Sequence, residues 1–265
     1  MRVQAEIIAI GNELLMGETL DTNSNWIARR LREMGISVRR ITIVGDDRDE
    51  IVNAFSNALN RGSNLIFTTG GLGPTGDDLT FEALAMATHK KLVLNREAFE
   101  MVKRKYEDLA SKGFVKTAKL TSPRLKMATL PEGADPLPNP VGVAPGIKMT
   151  VKGALVIALP GVPSEMKGVF EEHVPDLIMD KWGRRTQVHD VDVSVEIGDE
   201  SKLAPILAQV QGEIPGVQLK SMPSVYGAEV TLKVRVRAEG RTLEECRERV
   251  DKAVGRLREL VGDRD

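Results

Sequence analysis

Leu65-Ile66-Phe67-Thr68-Thr69 is a short apolar run that breaks off into Gly70-Gly71-Leu72-Gly73-Pro74-Thr75-Gly76, and Asp77-Asp78-Leu79-Thr80 follows. The first five residues read as a buried strand. The seven after them leave the backbone bare, and the two aspartates stand where a helix over about Leu79–Thr88 would start. Strand, glycine-rich turn and helix in that order make one βα unit. Two more units precede it. Glu6–Ile10 is a strand that ends at Gly11, and Asn23–Met34 places Ile27, Leu31 and Met34 on one helix face before Gly35. Val38–Val44 is the second strand, and Asp49–Asn60 repeats the helix pattern with Ile51, Phe55 and Leu59 before Gly62. Regular βα alternation predicts an α/β fold, a three-layer, mostly parallel sheet with helices on both faces.

Beyond Thr88 the pattern loosens. Arg96–Lys112 reads as a long charged helix. Pro131–Pro145 holds five prolines and reads as an ordered loop or edge excursion, since proline offers no ladder donor. Ile147–Val151 and Ala154–Ala158 are strand-like around a Lys152-Gly153 turn. Ser164 reads as the N-cap of a helix over Glu165–His173. The rhythm changes near Trp182–Thr186, so residues 1–182 and 186–265 are expected to be separate domains. The second reads β-α-β-β-α, with Val191, Val193, Val195 and Ile197 alternating in its first strand. Val230, Leu232, Val234 and Val236 alternate in its third, and a long helix over Thr242–Val261 closes it. This predicts a smaller α+β domain.

Composition narrows the function. The 265 residues carry 37 Lys and Arg against 38 Asp and Glu, which gives no bulk electrostatic reason to expect a nucleic-acid partner. One cysteine, Cys246, excludes an intramolecular disulfide and a cysteine metal cluster. Three scattered histidines make zinc unexpected, and no G-x-S-x-G elbow supports a serine hydrolase. The longest nearly apolar run, Ala154–Val162, is far short of the ~20 residues of a spanning helix. A cytoplasmic protein with no membrane partner is the expectation. In the second domain the Lys233/Arg235/Arg237 stripe sits among 14 basic and 15 acidic residues from Arg184 onward, so it reads as a solvated strand face or a subunit contact. Met222–Gly227 reads as a hairpin-like loop.

Gly71-Leu72-Gly73-Pro74-Thr75-Gly76 satisfies G-x-G-x-x-G, the dinucleotide-fold pattern. Three features weaken that reading. The loop follows the third strand, Pro74 removes a donor, and Asp77 and Asp78 would repel a bare phosphate unless a divalent cation lay between. No G-K-[ST] is present for a phosphate loop. The same two aspartates read equally as helix capping. Glu165 reads either as first-turn acid placement or as a site group. Asn12, Glu13, Asp21, Thr22 and Asn23, in or after the first βα loop, read either as turn and cap chemistry or as hydrogen-bonding groups for a base, a pterin or a ribose.

TTGGLGPTGDDLT (Thr68–Thr80) resembles the signature of the molybdopterin-binding domain, and its Gly-Pro-Thr and double Asp more closely resemble the CinA family. GNELLMGETLDTNSNWIARRL (Gly11–Leu31), VGDD (Val44–Asp47), NPVGVAPG (Asn139–Gly146) and LPGVPSEM (Leu159–Met166) are similar to that family's further motifs, in order. Residues 185–262 resemble the small domain, likened to a KH module, that follows in the same family. No G-x-x-G clamp is present there. A deamidase domain found in many relatives has no room in 265 residues, so deamidase activity is not expected. The resemblance implies a catalytic, metal-associated role for Asp78, with Asp46 or Asp47 as a second functional aspartate. It also implies divalent-metal-dependent hydrolysis of ADP-ribose or FAD-type pyrophosphates, with molybdopterin binding or adenylylation as the alternative. Metal ligands are then expected at Asp46, Asp77, Asp78 and Glu165, converging at strand ends around Mg²⁺, Mn²⁺ or Co²⁺. Asp78 and Glu165 are the expected catalytic pair. Substrate contacts are expected from Asn12, Glu13, Asp21, Thr22, Asn23, Thr69, Gly70, Gly71, Gly73, Thr75, Asn139, Gly161 and Ser164. A homodimer is the expected assembly.

Overall fold

A computed structural model describes residues 3–183, 187–197, 199–222 and 232–262. The chain divides into two compact units, Met1–Arg30 with Ile36–Lys181 and Leu31–Gly35 with Trp182–Asp265.

The first unit is built on a six-stranded sheet. Its strands are β1 (Gln4–Ile10), β2 (Ser37–Val44), β3 (Leu65–Thr69), β6 (Asp135–Leu137), β7 (Gly146–Val151) and β8 (Ala154–Leu159), in the order β2-β1-β3-β8-β7-β6. The four strands β2, β1, β3 and β8 run parallel, and β7 and β6 are antiparallel additions at one edge. The sheet is therefore mostly parallel, as the βα alternation predicts. A separate pair, β4 (Leu92–Leu94) and β5 (Thr129–Pro131), lies outside it.

Central strands are buried on both faces, so they read as continuous apolar runs and not as alternations. In β3 every residue is buried. One face of the sheet packs Ile8, Ile66 and Val156 against α3 (Arg48–Asn60), α4 (Thr80–Ala87) and α5 (Arg96–Ser111), through Phe55, Leu84 and Val102. On the other face, Phe67 meets Phe170 of α7 (Pro163–Trp182) at 5.8 Å, and Trp26 of α2 (Thr22–Glu33) meets the same ring edge-on at 5.1 Å. Two short helices, α1 (Asn12–Leu15) and α6 (Ser122–Lys126), complete the unit.

The β7–β8 hairpin turns at Lys152 (φ 48°) and Gly153 (φ 86°), the two positive φ values of a tight I′-type connection. The proline-rich stretch supplies β6 on the open edge, where the missing Pro136 donor costs no ladder bond. Two expectations need correction. Ser164 is not an N-cap, because α7 begins one residue earlier with Pro163, whose fixed φ and missing N–H suit a first helical position. The same helix does not stop at His173. It passes Pro175 and runs to Trp182, because Val174 and Ile178 continue the buried face begun by Met166 and Phe170. That burial outweighs the bond that Pro175 removes.

The second unit has β9 (Gln187–Val195), α8 (Glu200–Glu213), β10 (Val217–Met222), β11 (Leu232–Gly240) and α9 (Leu243–Gly262), the expected β-α-β-β-α sequence. Its antiparallel sheet has the order β10-β11-β9. Alternating Leu232, Val234 and Val236 join Val193, Val195, Leu203, Ile206, Val250 and Leu257 in one core. On the polar face Arg235 donates two bonds to Asp192, its register partner, at 2.7 and 2.9 Å, so the basic stripe is in part charge-paired within the sheet. Val230 and most of the expected Met222–Gly227 loop lie outside the described residues.

Candidate functional site

Strands β1, β2, β3 and β8 are parallel, with one register shift at Ala5/Glu6 between β1 and β2, so the turns after Ile10, Val44, Thr69 and Leu159 emerge at one end of the sheet. This is the end at which open α/β sheets hold ligands. The glycine turn there has a steric cause. Gly70 has φ 105°, and a Cβ on it would drive into the Ile10 carbonyl oxygen. Gly71 has φ 68°, and its Cβ would collide with the Thr80 hydroxyl. That hydroxyl donates to Gly70 O at 2.7 Å, and Thr80 N–H donates to Gly71 O at 3.2 Å. Buried Thr80 thus ties the first turn of α4 to the glycines, a residue that sequence reasoning quotes but gives no role.

A cavity of about 730 Å³ opens beside this turn. Of the expected site residues, Glu13, Gly71, Gly73, Asp78, Gly161 and Glu165 line it. Asp78 Oδ2 accepts the Thr75 N–H at 2.8 Å, which closes the Gly-Pro-Thr-Gly loop over Gly73. Glu165 is held by Asn139, whose Nδ2 donates to Glu165 Oε2 at 2.7 Å and to Ala144 O at 2.9 Å. Asn139 Oδ1 accepts from Val141 N and Gly142 N at 3.0 and 2.8 Å. Asn139 is buried, so it acts as the latch of its loop and orients Glu165 instead of contacting the cavity.

Other expected residues have structural work. Asn12 N–H donates to Asp46 Oδ2 at 2.9 Å, and Asp46 N–H returns a bond to Asn12 Oδ1 at 3.1 Å, which joins the ends of β1 and β2. Asp47 caps α3 through Glu50 N–H, and Asp21 caps α2 through Ser24 N–H, both at 2.9 Å. Asn23 donates to Thr69 Oγ1 and to Gly161 O, so it ties β3 to the turn after β8. Ser164 is exposed on α7 and does not line the cavity.

The expected four-acid metal set does not assemble. Among the described residues no three His, Cys, Asp or Glu side chains are grouped so as to hold a metal ion. Asp46 is engaged with Asn12. Asp77 accepts from the Thr75 hydroxyl, which holds its carboxyl below the usual range. Only Asp78 and Glu165 of the four line the cavity. Among the described residues, Asp78 and Glu165 are thus the two carboxylates of the expected set that share the cavity.

The cavity wall also includes Lys105, Tyr106 and Asp108 of α5, none of them expected. Lys105 Nζ donates to Pro140 O at 3.1 Å, and the Arg124 guanidinium stacks 3.8 Å from the Tyr106 ring. The charged, amphipathic spacing of α5 marks a surface helix, and nothing in it announces which loop it will face. Charged groups on the wall are Glu13, Asp78, Asp108 and Glu165 against Lys105, so the cavity is acid-lined.

This sheet, with its bare glycine turn and its cavity at the strand ends, defines an α/β domain of the ligand-holding, doubly wound kind. Residues 6–179 match the family model described as a probable molybdopterin binding domain, and the chain belongs to that family. A protein of Pyrobaculum aerophilum is 42% identical over 269 residues, covering 100% of this chain and 98% of that one. A protein of Caldivirga maquilingensis is 44% identical over 259 residues, covering 96% and 95%. Among solved structures, the protein CinA of Thermoplasma acidophilum, of unknown function, is similar with a TM-score of 0.61 and 42% identity. The match covers 67% of this chain and 99% of that one. No described helix is long and apolar enough to cross a membrane.

Proposed function

We propose that this chain is a CinA-type protein that binds molybdopterin, or a nucleotide conjugate of it, in the cavity beside the glycine turn. The carrying observation is the turn itself. Gly70 and Gly71 take backbone angles and approaches that only glycine tolerates, next to a cavity large enough for a ligand of that size. Family membership supports the pterin over other ligands. The charge of the wall supports it as well. Carboxylates of Glu13, Asp78 and Glu165 can accept from the N–H groups of a pterin ring. No observation favours hydrolysis of a nucleotide pyrophosphate over binding, since only two of the four acids that the hydrolysis would use line the cavity.

The test is calorimetric titration of the full chain with molybdopterin and, separately, with ADP-ribose. Saturable heat with molybdopterin, abolished by Asp78→Ala in a protein of unchanged circular dichroism, is the expected result. Heat with ADP-ribose and none with molybdopterin would overturn the reading.

A further inference from the structure

Where α2 begins, a second and smaller cavity of about 90 Å³ lies beside the first. At this size it is a recess for the edge of a molecule and not for a whole ligand. Glu13 and Gly161 line both cavities, so the two spaces adjoin there.

Apolar side chains of Ile10, Leu14 and Leu20 form much of the recess, and its polar groups include the acids Glu13 and Asp21 and the amide of Asn23. Asn23 is 9% exposed. Its Nδ2 donates to Thr69 Oγ1 at 2.9 Å and to Gly161 O at 2.7 Å. The Thr69 hydroxyl proton is itself directed to Pro160 O at 3.0 Å, so both partners of the amide nitrogen are acceptors and the amide cannot be turned round. Asn23 Oδ1 is thereby left buried with no donor from any described residue. A buried acceptor in this state can be satisfied by a donor from outside the chain, a water or a ligand group. Glu13 brings a carboxylate to the same recess, and Asp21 brings a second whose Oδ1 already accepts from Ser24 N–H. No Lys, Arg or His side chain lines it.

We infer that this recess takes the amino-bearing edge of a ring, an N–H beside an exocyclic NH₂, with Glu13 accepting the paired donors and Asn23 supplying the neutral acceptor. A carboxylate receives two parallel N–H groups well, and the bond is charge-assisted. The 2-amino-4-oxo edge of a pterin has this donor pair, and so does guanine. The inference rests on the pterin reading above and deepens it, assigning the edge and the residues that select it.

The experiment compares ring binding by the full chain, read by fluorescence quenching, for pterin, for lumazine (an oxo group replaces the 2-amino group) and for guanosine. The expected result is pterin over lumazine by about tenfold or more, the weight of a hydrogen bond to a charged group. Glu13→Gln, a change at an exposed side chain, is expected to erase that preference and to weaken molybdopterin about tenfold. Equal binding of pterin and lumazine by the unaltered chain, or a preference that survives Glu13→Gln, overturns the inference. If molybdopterin binds the variant and the parent alike, the inference fails while the pterin reading stands. If guanosine binds with the same dependence on Glu13 and pterin does not, the edge recognition stands and the pterin reading fails. If no ring binds, both fail.

Discussion

Gly70 and Gly62 both have positive φ, 105° and 74°, yet they answer to different forces. A Cβ at Gly62 would meet nothing within 4 Å, whereas one at Gly70 would enter the Ile10 carbonyl. Gly70→Ala is therefore expected to cost about 3 kcal/mol or more, because strain and a backbone collision add. Gly62→Asn is expected to cost under about 1 kcal/mol, since asparagine tolerates the left-handed region. Urea unfolding of the two variants checks the contrast, and similar midpoints would refute it. A second residue-scale case is Glu6, which is 1% exposed in β1. Burial pushes its carboxyl up, but two bonds from Arg61, at 2.9 and 2.5 Å, and one from Ser63, at 2.7 Å, outweigh that and hold it below its ordinary value. A lowered folded value means the pair's contribution is full above the ordinary glutamate range and is lost as pH falls beneath it. Arg61→Ala would strand a buried carboxylate, with an expected loss of about 3 kcal/mol at neutral pH that shrinks in acid. Thermal melts at pH 7 and pH 4 measure it. Neither role is conspicuous in the sequence. Glycines at turns are legible, but which of them touches backbone depends on the strand laid beside it. Glu6 reads only as an acid in an apolar strand.

Asn139 governs a loop. Its amide holds Val141, Gly142 and Ala144 on one side and Glu165 of α7 on the other. Asn139→Ala is expected to leave the sheet intact and to speed amide exchange at Val141 and Gly142 by about tenfold, the worth of one hydrogen bond of typical strength. Unchanged exchange there would remove the latch role. In the second unit, Glu213 at the end of α8 takes bonds from Arg256 of α9 and from Gln209, which hold its carboxyl at about 2. The folded value is the lower one, so the pair supports the fold above about pH 4.5 and releases it progressively toward about pH 2. A carboxyl NMR titration of Glu213 that showed an ordinary midpoint would contradict the pairing. Most elements are legible from period alone, because helix faces such as Ile51, Phe55 and Leu59 repeat at helical spacing. The far end of α7 is not, since Pro175 reads as a stop until the buried face on either side of it is known.

Each unit has its own apolar core, and the chain offers a separate reporter for the second. Cys246 is fully buried, its Sγ lies 3.2 Å from Gln187 O, and burial raises its thiol value. Ellman's reagent is expected to leave it unmodified in native buffer and to react only as the second unit opens in denaturant. Reaction at the rate of a free thiol in native buffer would disprove the burial.

Sequence by itself determined the α/β alternation, the β-α-β-β-α order of the second unit, the glycine turn and the family motifs, because each is local. Period, caps and turn chemistry act over a few residues, and the chain spells them out in order. Only the tertiary structure decided which acids share a cavity. As metal ligands, Asp46, Asp77, Asp78 and Glu165 are offered alike by the chain. Asp46 is claimed by Asn12 at a strand end, and Asp77 by Thr75 in its own loop. Glu165 is turned by Asn139, 26 residues away. Those claims follow from the strand order β2-β1-β3-β8, which brings distant turns side by side and lets hydrogen bonds choose among equal candidates.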